Sequence, residues 1–247
     1  MADGYGFFAS VYDRLTGDVD YPARAAYILA LFEKFGSRPE TLLDLACGTG
    51  SLSVLLAAEG IDVTAVDGSA EMLVQAQGKA AGREILFLQQ DMRELDLYGT
   101  VQGAVCMLDS LNHITKTAEL SAVFNRLRLF IEPGGLFIFD VNTPYKHRTV
   151  LADSQFVLEQ PDFLCVWRNR LLANNADVLI QLDFFYEQPD KTYMRHTETI
   201  RERAYSEGML RRLLTAAGFS VEAVYGDMSC GPPGQEEERM IFVARRK

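Results

Sequence analysis

Leu42-Leu43-Asp44-Leu45-Ala46-Cys47-Gly48-Thr49-Gly50 is an apolar strand that ends in a small, glycine-rich turn and leads straight into a helical pattern over residues 51–58. Glycine lets the backbone come close to a ligand, and the start of a helix offers unpaired N–H groups and a positive dipole end. The next apolar run, residues 63–66, is followed by Asp67, seventeen positions after Gly50. An acidic side chain there can accept both hydroxyls of a ribose. Strand, turn, helix and acid in this order describe a nucleoside pocket at the carboxyl edge of a parallel sheet. The competing reading is a tight turn beside a solvated aspartate.

The rhythm continues outward from this segment. Short apolar blocks at 42–45, 63–66, 85–88, 103–107 and 136–139 have the composition of strands buried on both faces. Helical spacing fills the gaps at 51–58, 70–80 and 118–130, with Ser69 and Thr117 as N-caps of the last two, and Pro133-Gly134-Gly135 turns into the fifth strand. Ahead of the core lie an aromatic-rich leader, Tyr5 to Tyr21, and a helix over 22–35 with Pro22 at its first position. Between about 155 and 203 the pattern switches to alternation, as in Val178, Ile180, Leu182, Phe184 and Tyr186, with hairpin turns at Asn174-Asn175-Ala176 and Pro189-Asp190-Lys191. A helix over 206–217 and strands over 219–225 and 240–245 then resume the α/β rhythm. The expectation is a seven-stranded, doubly wound, mostly parallel α/β sheet with an antiparallel β insertion. Residues 1–36 form a cover and helix, 37–150 with 205–247 the core, and 151–204 the insertion.

Composition narrows the function. With 24 basic and 34 acidic residues in 247, the net charge of −10 repels nucleic-acid phosphates. Cys47, Cys106, Cys165 and Cys230 lie too far apart for zinc-type pairs and read as reduced thiols. His113, His147 and His196 have no ligand spacing between them, so no dedicated metal is expected. No apolar run approaches the roughly 18 residues of a membrane span, and the start of the chain has no basic, cleavable leader, which makes the cytoplasm the expected address.

A nicotinamide site spells G-x-G-x-x-G, but the third glycine position here is Ser53, which lowers the rank of an NAD(P)-dependent oxidoreductase. Asp44-Leu45-Ala46-Cys47-Gly48-Thr49-Gly50 followed by Val66-Asp67-Gly68-Ser69 resembles the first two motifs of the class I S-adenosylmethionine-dependent methyltransferases. Gln90-Asp91-Met92 resembles the family segment that meets adenine, Met107-Leu108-Asp109-Ser110 the place where the methyl is presented, and Glu132-Pro133-Gly134-Gly135 the turn before the fifth strand. Val11-Tyr12-Asp13 with Tyr21 is similar to the amino-terminal cover of small-molecule N-methyltransferases acting on amino sugars and glycine, in which tyrosines close over the donor's methionine end. The resemblance implies S-adenosylmethionine as cofactor, held by Tyr12, Tyr21, Asp44, Ala46, Cys47, Gly48, Gly50, Asp67, Gly68, Met72, Asp91, Met92 and Leu108. It also implies a small acceptor, an amine before an alcohol, with His113 beside it.

His113, with an ordinary pKa of about 6.5, suits holding or relaying the acceptor's proton, and Tyr12 suits orienting acceptor or donor. The bland alternative for His113 is a half-buried ring capping a loop. In the insertion, Trp167, Arg168, Tyr193 and Arg195 join aromatic bodies to cationic ends, as an acceptor wall for a sugar-like or anionic molecule would. A homodimer contact, or a lid packing on its own core, is the equal alternative for that segment. Asn142-Thr143-Pro144-Tyr145 follows the fifth strand rather than the fourth and is discounted as an amide-methyltransferase motif. The arginines 201, 203, 211 and 212 are interleaved with acids and read as a solvated face. A non-catalytic S-adenosylmethionine-binding module is the second rival.

Overall fold

A computed structural model describes residues 6–247; the first residues of the aromatic leader, Tyr5 included, lie outside the described residues. The chain opens with helices α1 (Gly6–Leu15) and α2 (Tyr21–Lys34). Then come β1 (Thr41–Leu45), α3 (Ser51–Ala58), β2 (Asp62–Asp67), α4 (Ala70–Lys79), β3 (Ile85–Gln89), β4 (Val101–Cys106), α5 (Thr117–Phe130) and β5 (Ile131–Asn142). The insertion supplies β6 (Gln155–Glu159), β7 (Phe163–Leu171), β8 (Asp177–Glu187) and β9 (Tyr193–Arg203), and α6 (Glu207–Ala216), β10 (Phe219–Gly226) and β11 (Arg239–Arg246) close the core.

The main sheet has the order β10-β11-β5-β4-β1-β2-β3, with β11 antiparallel to both of its neighbours. This is the expected seven-stranded, mostly parallel sheet. Its order reverses between β1 and β4, so the ligand crevice of such a sheet falls outside their carboxyl ends. Consecutive residues serve opposite faces. Leu42 packs with Ile28, Leu31 and Phe32 of α2, while Leu43 packs with Phe124 of α5 and with Phe137 and Phe139 of β5. Burial on both sides explains why the strands read as unbroken apolar runs. On the α5 side Phe137, Phe139 and Phe242 form a stack with centroid separations of 4.7 and 4.9 Å.

Capping follows local chemistry with two corrections. Ser69 Oγ accepts the Met72 N–H at the start of α4, as the sequence predicts. At α5 the predicted cap is displaced: Thr117 is already the first helical residue, and Lys116 precedes it in extended backbone with no side-chain cap. Pro22 likewise stands one residue inside α2, because Asp20 caps that helix by accepting from Ala23 N at 2.9 Å. The aromatic leader is itself helical. Val11 is buried, and Phe7 and Phe8 lie against the insertion, with Phe7 stacked on Tyr186 at 4.7 Å.

The insertion forms its own four-stranded meander, β6-β7-β8-β9. Cys165, Ile180, Leu182 and Phe184 on one face pack with Val11. By the pairing register Glu198 and Glu202 lie on that face too, opposite Leu182 and Val178. The other face carries charge. Asp183 is buried there beneath Arg168 and Arg195 and also accepts from Thr197 Oγ1 at 2.6 Å. Arginines of the stretch read as a solvated face are paired as well, Arg201 with Asp177 and Arg211 with Glu207. Among the described residues no helix is long and apolar enough to cross a membrane.

Burial works against the ionised Asp183, but Thr197, Arg195 and Arg168 outweigh it and hold the carboxyl at about 2. A carboxylate whose folded pKa lies below the unfolded value of about 3.9 contributes full stability above pH ~4 and loses it as pH falls through the folded value. Asp183→Asn is therefore expected to be less stable than the parent at pH 7, with the deficit shrinking between about pH 4 and pH 2. Denaturation curves across that range check it. An equal deficit at both ends would remove the charge from the explanation.

Candidate functional site

Beyond β1 the chain makes a turn that few side chains tolerate. Ala46, Gly48 and Gly50 have φ of 58°, 55° and 74°, all left-handed. The turn is fastened from β2: Gly48 N donates to Asp67 Oδ2 at 2.8 Å and Ser69 N to Asp67 Oδ1 at 2.9 Å. Asp67 thus anchors the turn with one lone pair on each oxygen and keeps the others for a ligand. Burial raises its carboxyl, against the pull of those N–H groups. Asp44, buried at the end of β1, accepts from Ser53 Oγ at 2.5 Å, and its carboxyl is pushed up to about 6, chiefly by burial. The two glycines have different surroundings. A side chain at Gly48 would enter open space, whereas a Cβ at Gly50 would stand 2.8 Å from Ala76 Cβ on α4.

Helix α1 is latched over this turn. Thr49 Oγ1 donates to Asp13 Oδ1 at 2.6 Å, and Lys79 Nζ of α4 reaches Asp13 at 2.6 Å, Thr49 Oγ1 at 2.8 Å and Ser51 Oγ at 2.6 Å. Tyr12 of the latched helix and Tyr21 at the start of α2 line the same cavity as Gly48. Burial, followed by the neighbouring Tyr21 and Asp109, holds the Tyr12 phenol well above its ordinary pKa. It therefore stays protonated and acts as a hydrogen-bond donor rather than a base. Burial also pushes up the Cys47 thiol, next to Asp44 and Asp67, so it is no nucleophile.

The opposite wall is held by a charge network absent from the sequence reading. Asp140, fully buried at the end of β5, accepts from Leu108 N at 2.9 Å and Asp109 N at 2.6 Å, both left-handed residues. Arg239 of β11 reaches Asp140 at 2.8 Å and Asp109 at 2.5 Å, while Arg24 of α2 lies 3.7 Å from Asp140 and 3.1 Å from Asp227. Burial would raise the Asp109 carboxyl, but Arg239, His113 and Lys146 together hold it below its usual range. A charged residue inside an otherwise apolar strand, such as Asp140 in Leu136–Val141, was the signal that could have marked this network.

Between these walls lies a cleft with about 430 Å³ of empty space, part of it open to solvent, lined by Tyr12, Tyr21, Asp44, Ala46, Cys47, Gly48 and Leu108 from the predicted set. Arg24, Thr49, Leu52, Met107 and Ser110 complete it. Gly50, Asp67, Gly68, Met72, Asp91 and Met92 are outside this lining. Met72 is buried in α4, Met92 packs on the α5-side core, and the Asp91 carboxylate is engaged by Arg93. His113, in the turn after β4, is also outside the lining; its ring nitrogen, an Asp109 oxygen and a Glu202 oxygen all lie within 4.8 Å of one another.

The structure does not bring the predicted acceptor wall together. Arg168, Tyr193 and Arg195 lie on the outer face of the insertion, opposite in strand parity to Glu202, and both arginines are spent on Asp183. Trp167 shares the inner parity but donates to Asn169 Oδ1 at 2.6 Å. All four cysteines are free thiols.

Residues 42–135 match a family model described as a methyltransferase domain. A methyltransferase-family protein of Geobacillus sp. (strain WCH70) is 33% identical over 98% of this chain and 99% of its own. The dTDP-3-amino-3,6-dideoxy-alpha-D-glucopyranose N,N-dimethyltransferase of Streptomyces fradiae is 27% identical over 95% of this chain and 91% of its own. A crystal structure of an S-adenosylmethionine-dependent methyltransferase from Clostridium acetobutylicum ATCC 824 superposes with a TM-score of 0.88 at 28% identity, covering 98% of each chain.

Proposed function

The chain belongs to the S-adenosylmethionine-dependent methyltransferase family, and from that premise we propose that it methylates the nitrogen of a small amine in the cavity between Tyr12 and Leu108. The observation that carries the reading is the open cradle at Gly48: a left-handed glycine with nothing in front of it, facing a cleft with about 430 Å³ of empty space lined by two tyrosines. A Cβ would fill that space, which is how a backbone makes room for a ligand. The Streptomyces fradiae relative, named for an amino-sugar substrate, supports an amine as acceptor.

In this reading Asp67 offers its free lone pairs to the ribose, Gly48 and Ala46 pass beneath the methionine end, and Tyr12 of α1 and Tyr21 at the start of α2 cover it. Asp91 and Met92 flank the base, with Gly50, Gly68 and Met72 shaping the floor. When bound, S-adenosylmethionine supplies a methyl group on a positively charged sulfur that needs only an aligned lone pair. Holding the amine in line contributes the most, since well-oriented reactants gain roughly 7 to 11 kcal/mol. An amine of pKa near 10.4 must first lose a proton, at a cost on the order of 4 to 5 kcal/mol at neutral pH. His113 takes that proton. The nitrogen lone pair then forms the N–C bond as the S–C bond breaks, and its electron pair remains on sulfur. The Tyr12 phenol, kept neutral by burial, orients the acceptor without competing for the proton.

The reading extends to a cytoplasmic enzyme with no nucleic-acid substrate, consistent with the net charge of −10. The insertion would meet a second copy through β6, where Phe156 and Val157 are exposed.

Transfer of labelled methyl from S-adenosylmethionine to a panel of amines, with hydroxyl isosteres beside them, tests the assignment; label found only on oxygen, or nowhere, overturns it. Donor binding is tested separately. S-adenosylhomocysteine at a hundred times its Kd adds about 2.7 kcal/mol, which for a chain of this size is roughly 5 to 10 °C in Tm. Asp67→Ala is expected to abolish most of that protection, with a smaller fall in the unliganded Tm from the freed Gly48 N–H. Protection by a nicotinamide cofactor in its place would restore the oxidoreductase reading.

A further inference from the structure

The geometry points to Glu202, on β9 of the insertion, as the residue that seats the acceptor's ammonium group, together with Asp109 and His113; the inference rests on the amine reading above. Glu202 is a buried carboxylate, 5% exposed, reached by Asn142 Nδ2 at 3.2 Å. Among the described residues, the one basic group within salt-bridge reach is the His147 ring, whose Nε2 stands 3.4 Å from Glu202 Oε2 without forming a hydrogen bond. Asp109 already has Arg239 as counter-ion. A buried anion without a fixed cation is costly, several kcal/mol in real proteins. A cationic ligand removes that cost.

The surrounding atoms agree on the sign of the missing partner. The fully buried His147 bonds the Ala176 carbonyl through Nδ1 at 3.0 Å. A carbonyl only accepts, so Nδ1 carries a proton, while Nε2 is buried without a hydrogen-bond partner. Asn142 Oδ1, on the residue whose amide donates to Glu202, is also buried without a partner. Glu202, Asp109 and Asn142 Oδ1 thus form a group of acceptors, of which Asn142 Oδ1 has no donor. A protonated amine brings three N–H donors and one positive charge.

The ligand atoms of Asp109, His113 and Glu202 all lie within 4.8 Å of one another. An ammonium nitrogen with charge-assisted hydrogen bonds of about 2.7 to 2.9 Å spans up to about 5.8 Å between partners and reaches all three. Calcium takes oxygen ligands, and one of the three here is an imidazole; a first-row metal, which takes both imidazole and carboxylate, is told apart by the test below. The arrangement also serves the chemistry: the carboxylates hold the charged form, and His113 beside them receives the proton that frees the lone pair.

The test uses the full chain with S-adenosylhomocysteine bound, so that binding is read without turnover. Methylammonium, cyclohexylammonium and 3-amino-3-deoxyglucose are each compared with their hydroxyl counterparts for thermal protection. At least one amine is expected to protect the parent beyond its hydroxyl counterpart. Glu202→Gln is expected to erase that difference, and Glu202→Asp, which keeps the charge, to retain part of it. Both variants should keep the parent's protection by S-adenosylhomocysteine, which separates lost seating from lost folding. In turnover with an accepted amine, Glu202→Gln should raise acceptor KM at least tenfold while kcat changes less than threefold. No amine outperforming its hydroxyl counterpart, or equal amine protection of Glu202→Gln and parent, overturns the seat. So does stabilisation by zinc or manganese that exceeds any amine. Methylation of amines by Glu202→Gln with unchanged KM would sink the seat and leave the proposed function standing; amine protection with no methyl transfer would do the reverse.

Discussion

Gly48→Val is expected to give a folded protein that S-adenosylhomocysteine no longer protects, whereas Gly50→Val is expected not to reach a stable fold. The two positions share the left-handed backbone, with φ of 55° and 74°, so the strain of a β-branched residue there, about 1 to 2 kcal/mol, is common to both and cancels in the comparison. Ala46 at φ 58° in the same turn shows that this backbone can carry a Cβ. The surroundings differ. At Gly48 nothing stands within 4 Å of the added carbon, which enters the cavity where the methionine end of the donor is proposed to lie. Donor affinity should fall at least a hundredfold, about 2.7 kcal/mol, with an unliganded Tm only about 5 °C lower. At Gly50 the added carbon meets Ala76 Cβ at 2.8 Å and Cα at 3.1 Å. That is helix backbone, which cannot rotate away, and overpacking of this sort costs a further 1 to 3 kcal/mol or more. Thermal melts with and without S-adenosylhomocysteine check both. Full protection of Gly48→Val would remove the turn from the binding site.

The second large effect is expected at Asp140. Asp140→Ala leaves two N–H groups of the left-handed Leu108–Asp109 turn without acceptors and takes from Arg239 and Arg24 the carboxylate between them. Breaking a buried ion pair from one side typically costs about 3 to 5 kcal/mol, which for a chain of this length is roughly 6 to 20 °C in Tm. Because Asp140 shapes the turn that faces the transferred methyl in the proposed reading, turnover should fall more than donor affinity. Replacing Arg239 with Met in the Asp140→Ala background should cost less than Arg239→Met alone, since the counter-charge is already gone. Urea denaturation of the two single variants and the double variant measures the coupling. Strict additivity would mean that the pair is not a unit.

How far the sequence reached depends on how local each interaction is. The β1 turn, Asp67 and the cap at Ser69 are legible because their contacts run between near neighbours or along a repeating strand-and-helix unit. The helical nature of the leader was less visible: Phe7, Phe8 and Val11 are arranged to meet a partner 150 or more residues away, Cys165 and Phe184 among it. Arg24, Asp140 and Arg239 went unread as a group because each is an isolated charge in its own segment. The antiparallel register of β5 with β11 and the contact of α2 with both bring them together.

The insertion shows the same division. Alternation in Val178, Ile180, Leu182 and Phe184 identifies an inner face within β8, but not which residues of β9 share it. Pairing of Val178 with Glu202 and of Leu182 with Glu198 turns two glutamates inward, while Tyr193 and Arg195 turn outward. By itself, then, the amino-acid sequence determined the doubly wound sheet, the glycine turn and its acid, because strand pattern, left-handed glycine and helix capping are properties of short stretches of chain. Only the tertiary structure decided which charges meet at the mouth of the site. A residue's face is set by cross-strand register, and a single-residue change in register exchanges the two faces.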